Sequence, residues 1–204
     1  KIRIEGFVIS NKYAGYTCTV RENVLVHFQD ASDIIFTNNI VFGNDAPGTC
    51  NELLKINRGG FYYPKNIKVY GNVFYDHVNL EGADMIDSVR PGELDIYDNI
   101  FFTRTQANNA QSFITIKREE HSADAAYPSD ARNPRHKIYR NIFLNWNGKT
   151  DQAFIQLGED GVSSYEITNS LIENNLMIGN SPRQIAAPIQ LKGVSGITVR
   201  ANTI

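Results

Sequence analysis

Leucine and methionine are scarce in this 204-residue chain, with 10 and 2 copies against 23 isoleucines and 22 asparagines. Helical domains draw on leucine, alanine, methionine and straight-chain polar residues, so the shortage argues against a helical bundle. No apolar run reaches 18 residues, which excludes a transmembrane helix. A formal net charge of −2 with mixed signs offers no general attraction to nucleic acid or to an anionic membrane. The chain also lacks a glycine-rich phosphate loop, a Cys-x-x-Cys pair and a His-Glu-x-x-His helix. Its four histidines are scattered, and no Ser-His-Asp triad can be argued from spacing. His77 and His136 read as structural or solvent-facing. None of the asparagines stands in an Asn-x-Ser/Thr sequon, so nothing points to a glycosylated product. The opening Lys1-Ile2-Arg3-Ile4-Glu5 alternates like a strand and does not resemble a signal peptide.

What is abundant carries a pattern. β-Branched residues favour strands, and asparagine favours turns and the left-handed backbone region. Asn followed by an aliphatic residue recurs at Asn39-Ile40, Asn72-Val73, Asn99-Ile100, Asn141-Ile142 and Asn175-Leu176, with Asn202-Thr203 as a degenerate copy. Gly6-Phe7 is read as the first instance. The spacings of 33, 33, 27, 42, 34 and 27 residues describe a unit of about 27 residues carrying insertions. Three residues before each Asn stands an apolar residue: Phe36, Val69, Ile96, Ile138, Ile172 and Val199. A short strand follows the Asn directly, and another apolar strand begins about 14 residues later. Three strands per unit, with period-2 alternation and no helical periodicity, predict one solenoid domain over 1–204. Stacked at about 4.8 Å, the asparagines would form a ladder. Phe74, Phe101 and Phe143 would stack inside it, and Tyr70, Tyr97 and Tyr139 outside. Both ends, Lys1–Ile4 and Val199–Ile204, read as coil strands without caps, as expected for a stretch of a longer chain.

On these residues the chain resembles the right-handed parallel β-helices of the pectin-lyase-like superfamily. Ile96-Tyr97-Asp98-Asn99-Ile100-Phe101-Phe102 and its copies look like that superfamily's asparagine-ladder coils. The resemblance covers almost the whole chain and implies an all-β fold of about six to seven coils. Cys18 and Cys50 fall at nearly equivalent positions of adjacent coils. They are read either as a disulfide, fitting a secreted, periplasmic or cell-surface protein, or as two stacked thiols in a core.

Insertions in a solenoid gather on one side, often the binding side. The segments 57–66, 117–137 and 158–170 are long, whereas Arg90-Pro91-Gly92 is short, so a groove is expected over the short rung. The outward positions of the strands leading into it read His27, Lys55, Asp87, Thr115, Gln156 and Gln190. Beyond them come Asn57, Arg58, Arg90, Lys117, Arg118, Glu119, Glu120 and His121. Arg58, Arg90 and Arg118 are expected on three consecutive coils. They would be compensated by Glu119, Glu120, Asp84 and Asp87 or would bind an anion. Arginine presents a fork matched to a uronate carboxylate, and Phe61, Tyr62, Tyr63 and Tyr127 could pack on sugar faces. The expected partner is therefore an acidic polysaccharide.

Cleavage of such a polymer by β-elimination requires a cation at the carboxylate, a base for the C5 proton and an acid for the leaving oxygen. Lys117 is the candidate base, its pKa lowered by neighbouring Arg90 and Arg118. Arg90 or Arg58 would hold the carboxylate, and His121 or Tyr127 would supply the acid. Lys55, Asn57, Arg118, Tyr62 and Tyr63 complete the candidate binding set. Within the superfamily, Asn72-Val73-Phe74, Ser88-Val89-Arg90 and Lys117-Arg118 resemble the chondroitinase B and alginate lyase family. There an Asn-x-Phe coil precedes Ser-x-Lys, and an arginine lies on the next coil. The resemblance implies a possible Ca²⁺ near Glu81, Asp84 and Asp87, whose oxygens suit that ion. Arg90 stands where the family has its lysine base, and arginine stays protonated, so that mechanism does not carry over intact. Two other classes stand beside the lyase. A glycosidase would use paired carboxylates among Asp84, Asp87, Glu119 and Glu120, although the polygalacturonase signatures are missing. A non-catalytic, tailspike-like adhesin would need only aromatic loops and an anion groove. Trp146 is read as a packing residue.

Overall fold

In a computed structural model, the chain is described at residues 1–10, 24–43, 52–60, 63–76, 84–104, 111–118, 135–146, 152–160, 167–179 and 185–204. Strands of three residues cannot stand alone in water; here they are stabilised by stacking. The chain passes through three sheets in turn, and each strand pairs in parallel with its counterpart one unit earlier, one unit later or, inside a sheet, both. The first sheet comprises Ile2–Glu5, Ile34–Thr37, Ile67–Tyr70, Leu94–Tyr97, His136–Tyr139, Leu171–Glu173 and Thr198–Arg200. The second comprises Val8–Ser10, Ile40–Phe42, Val73–Tyr75, Ile100–Phe102, Ile142–Leu144 and Leu176–Ile178. The third comprises Val24–Gln29, Glu52–Asn57, Ile86–Val89, Ile114–Lys117, Ala153–Leu157 and Ala187–Leu191. A two-stranded sheet pairs Ile167–Thr168 with Val194–Ser195. The described residues contain no helix. The protein is therefore all-β and built of parallel sheets, compatible with the solenoid expected from the repeat.

The register confirms the columns. Phe36, Val69, Ile96, Ile138, Ile172 and Val199 are successive partners in the first sheet, all fully buried except the terminal Val199. The second sheet turns Val41, Phe74, Phe101 and Phe143 inward. Rings of Phe74, Phe101 and Phe143 stack at 5.1 and 5.0 Å. Outside, Tyr70, Tyr97 and Tyr139 stack at 4.8 Å. Trp146 is fully buried and meets Phe113 and Phe154 edge-on, so it does pack the interior.

The asparagines at the corner between the first two sheets form a continuous ladder. Asn39, Asn72, Asn99, Asn141 and Asn175 are buried. Each carries a side-chain oxygen that accepts from the preceding unit, and each donates onward, as in Asn72 Nδ2 to Asn99 Oδ1 at 3.0 Å and Asn99 Nδ2 to Asn141 Oδ1 at 3.0 Å. The residue before each of these and before Asn202 turns the corner in the left-handed region: Asn38, Gly71, Asp98, Arg140, Asn174 and Ala201. Here the first repeat is corrected by one position. Gly6, at φ 77°, is the corner residue, and Phe7 occupies the ladder position, its N–H donating to Asn39 Oδ1 at 3.0 Å.

Two inward positions of the alternation carry polar residues. Ser88 points inward, between Ile56 and Ile116 in register, and its hydroxyl is buried without a hydrogen-bond partner. His136 is not at the surface. It continues the interior column of Ile67 and Leu94, fully buried with neither ring nitrogen hydrogen-bonded. Burial alone pushes its pKa down to about 3. Cys18 and Cys50 lie outside the described residues.

The three outer faces differ in chemistry. The first sheet carries ion pairs such as Arg200 with Glu173, and its corner adds Arg140 with Asp98. The third is polar and charged. The second is apolar: one outward column reads Val8, Ile40, Val73, Ile100, Ile142 and Leu176. The other reads Ser10, Phe42, Tyr75, Phe102, Leu144 and Ile178.

Candidate functional site

The outward column of the third sheet is as the alternation predicts. His27 pairs with Lys55, Lys55 with Asp87, Asp87 with Thr115, Thr115 with Gln156, and Gln156 with Gln190. The next outward positions bring Asn57, Val89 and Lys117 into line. One residue further, Arg58 N–H donates to Val89 O at 3.3 Å and Arg90 N–H to Lys117 O at 2.8 Å. Arg58, Arg90 and Arg118 therefore follow one another on successive rungs.

Their guanidinium groups do not form an open row. Arg58 turns onto Tyr63, donating to its hydroxyl at 2.6 Å with its Cζ 4.4 Å from the ring centre. A second bond runs to Gly60 O at 3.3 Å. Arg90 donates from Nε to Arg118 O at 3.0 Å. Its backbone is left-handed, at φ 57°. Asp30 and Gly158 share that conformation where their own third-sheet strands end, so it is a corner device of the fold and marks no special strain at Arg90. At the equivalent corner only glycine fits: a Cβ on Gly158 would lie 1.8 Å from Lys192 O. His27 Nε2 lies 2.6 Å from Asn57 Oδ1 at the other end of the face.

The centre of the column is a compensating charge network of the kind expected around Asp84 and Asp87, with Lys55 as the cation and Glu52 as an added member. The Lys55 ammonium contacts both Asp87 Oδ2 and Glu52 Oε1, the latter at 3.1 Å. Thr115 donates its hydroxyl to Asp84 Oδ1 at 2.8 Å. Asp84, Asp87 and Thr115 are only 3, 2 and 4 % exposed. Outward position on the strand did not mean solvent access, which corrects the groove-lining role expected of Asp87 and Thr115. Burial first, and the charge on Asp87 second, push the Asp84 carboxyl up to about 8, against the pull of Thr115, Lys117 and Lys55. The same two causes push Glu52 up to about 8, with Lys55 opposing. Burial works against the Lys55 ammonium, yet Asp87 and Glu52 outweigh it and hold its pKa above the ordinary lysine range. One ammonium thus serves two carboxyl groups, and burial beside Asp87 holds Glu52 and Asp84 well above the ordinary carboxylate range.

This network bears on a metal. Asp87 already faces an ammonium and Asp84 binds a hydroxyl, with its charge suppressed. A hard cation needs several ionised or neutral oxygens turned toward one point. Among the described residues no group of three or more His, Cys, Asp or Glu side chains is placed to hold a metal. Asp84 and Asp87 as arranged do not fit Ca²⁺. Glu81, the third expected ligand, lies outside the described residues.

Of the other expected site residues, Lys117, Arg118, Asn57, Tyr63 and Arg58 are half-buried on the same face. His121, Tyr127, Tyr62, Phe61, Glu119 and Glu120 lie outside the described residues. Glu52 was missed from sequence. Its signal was its place in register with Val24 and three residues before Lys55, which a search for residues beyond the strand end does not sample.

No family model matches the chain, and no curated protein or solved structure matches it either.

Proposed function

We propose that the chain is a right-handed parallel β-helix of the pectin-lyase-like type that binds an acidic, uronate-containing glycan along the third sheet and the corner after it. The proposed reaction is β-elimination. The observation that carries this reading is the concentration of cations on three successive rungs: Lys55 and Arg58, then Arg90, then Lys117 and Arg118. At strand spacing this file is about 10 Å long, on the scale of two sugar residues. Arg90 and Arg58 bind the uronate carboxylate and draw charge from it, which acidifies the C5 proton. Lys117 takes that proton. The C5–H electron pair forms the C4–C5 double bond, the C4–O bond breaks, and an acid delivers a proton to the leaving oxygen. His121 and Tyr127 are the candidates for that acid. Lys55, held protonated by Asp87 and Glu52, contributes charge and does not act as a base. Residues outside the cell membrane's shelter meet such polymers, so a secreted, periplasmic or cell-surface location accompanies the proposal.

A second reading, glycoside hydrolysis, is favoured by one feature. Asp84, its pKa pushed up to about 8 by burial and by neighbouring Asp87, has the character of a general acid with a second carboxyl close by. The burial of both carboxyls weighs against it.

Alginate, pectate and chondroitin sulfate, each incubated with the protein, separate the readings. Elimination yields an unsaturated uronate that absorbs in the ultraviolet, and Lys117→Ala abolishes its formation while binding persists. New reducing ends without ultraviolet absorbance would show hydrolysis. Binding without either product would show a non-catalytic glycan-binding protein.

A further inference from the structure

We infer that the outer face of the second sheet is a dimerisation surface and that its partner is a second copy of this chain. The face has no charged residue in either outward column, in contrast to the faces of the other two sheets. An all-parallel sheet is normally covered on both faces, and here both faces of the sheet are apolar. Val8, Ile40 and Ile178 are 69, 40 and 44 % exposed, and most of the residues between them are half-buried.

Area selects the partner. A large side chain presents roughly 150–250 Å² when bare, so these exposures leave on the order of 500 Å² of apolar surface. That lies at the upper end of what monomers expose as a single patch. Protein interfaces are only about 60 % non-polar once the rim is counted. The patch therefore implies about 800 Å² per partner, the size of a standard specific interface. The rim is present: Arg104 pairs with Asp76 at 2.6 Å and lies over the Tyr75 ring at 4.7 Å. Mixed charge there offers nothing to an anionic lipid surface.

Shape supports self-pairing. Phe42, Tyr75 and Phe102 stack face to face at 4.8 and 5.0 Å, and the column continues as aliphatic Leu144 and Ile178. A two-fold axis along the strands reverses the order of rungs in the second copy. It sets Phe42 against Leu144 and Tyr75 against Phe102, so a ring meets an aliphatic chain on either side of a central pair of rings. An isologous contact requires such self-complementarity, and two sheets then pack face to face at about 10 Å.

Sedimentation velocity over a concentration series tests this. The expected species has the mass of two 22.9 kDa chains. Ile100→Lys, at the centre of the face, is expected to return it to one chain with an unchanged circular-dichroism spectrum. Leu144→Gln, a milder change, is expected to weaken association at least tenfold if Ile100→Lys folds poorly. Tyr97→Lys, on the outer face of the first sheet, is expected to leave the dimer intact. A wild-type protein that stays monomeric at every concentration overturns the inference. So does a dimer that survives both second-sheet substitutions, or one that Tyr97→Lys dissolves.

Discussion

Replacing Asn99 by alanine removes four hydrogen bonds at the middle of the ladder. Asn99 Oδ1 accepts from the Asn72 backbone N–H at 2.9 Å and from Asn72 Nδ2 at 3.0 Å. Asn99 Nδ2 donates to Val69 O at 2.9 Å and to Asn141 Oδ1 at 3.0 Å. Asn72 Nδ2 keeps other acceptors in Phe36 O and Tyr70 O, but the Asn72 N–H loses its side-chain acceptor in a buried place. At about 1 kcal/mol net per bond, the variant should lose about 4 kcal/mol. A built-in comparison sharpens the estimate. Asn202, at the last rung, also makes four bonds: it accepts from Asn175 N–H and Nδ2 and donates to Ile172 O, as Asn99 does in its place, and its fourth runs to Arg200 O. It is half-exposed, so water replaces what alanine removes, and Asn202→Ala should cost about 1 kcal/mol. Urea unfolding followed by circular dichroism gives both numbers from the midpoints and slopes. Amide exchange at Asn72 gives a local reading of the lost acceptor. Equal costs at the two positions would refute the reasoning, because bond count alone would then govern and burial would not.

Two buried groups set opposite pH dependences. His136 has a folded pKa near 3, below its unfolded value of about 6.5. The unfolded chain therefore takes up a proton that the folded one refuses, and stability falls as pH drops from 6.5 toward 3, by about 2 kcal/mol at pH 5. His136→Leu, matching its column neighbour Leu94, should remove that acid slope and stabilise the protein at pH 7; parallel stability curves for the two proteins would contradict this. Asp84 works in the other direction. Its folded pKa near 8 lies above the ordinary value of 3.8, so its contribution is complete below pH 4 and is lost as pH rises toward 8. Asp84→Asn should flatten the decline in melting temperature between pH 6.5 and 8, with Glu52 retaining part of the slope. An unchanged slope would place the proton elsewhere.

Much of the fold was legible because side chains in a parallel stack repeat at fixed register. The apolar residue three before each Asn, the interior phenylalanines and the outer tyrosines all fell in the columns the spacing implied. The misplacement of Gly6 has a local cause. Phe7 contributes only its N–H to the ladder, so no side chain in the sequence marks the position. At the site, period-2 alternation found the column from His27 to Gln190 but gave only direction. Whether an outward residue meets water depends on what covers it. Asp87 and Thr115 are covered, and their environment set the protonation of Asp84 and Glu52, which no local pattern could show. Arg58 and Arg90 were placed on the right rungs. Their side-chain directions were decided by Tyr63 and by a backbone carbonyl, partners chosen in three dimensions.

The ladder corner keeps its geometry whether the next asparagine lies 27, 33 or 42 residues away. Extra chain is taken up elsewhere and does not shift the register of the rungs. Inheritance can therefore act on this molecule in whole rungs. A duplicated or deleted turn of chain leaves every neighbour's contacts of the same kind, while a lengthened loop alters one rung's surface and nothing beneath it. Lineages built this way would diverge quickly in loop sequence and rung number while the asparagine corner stayed recognisable.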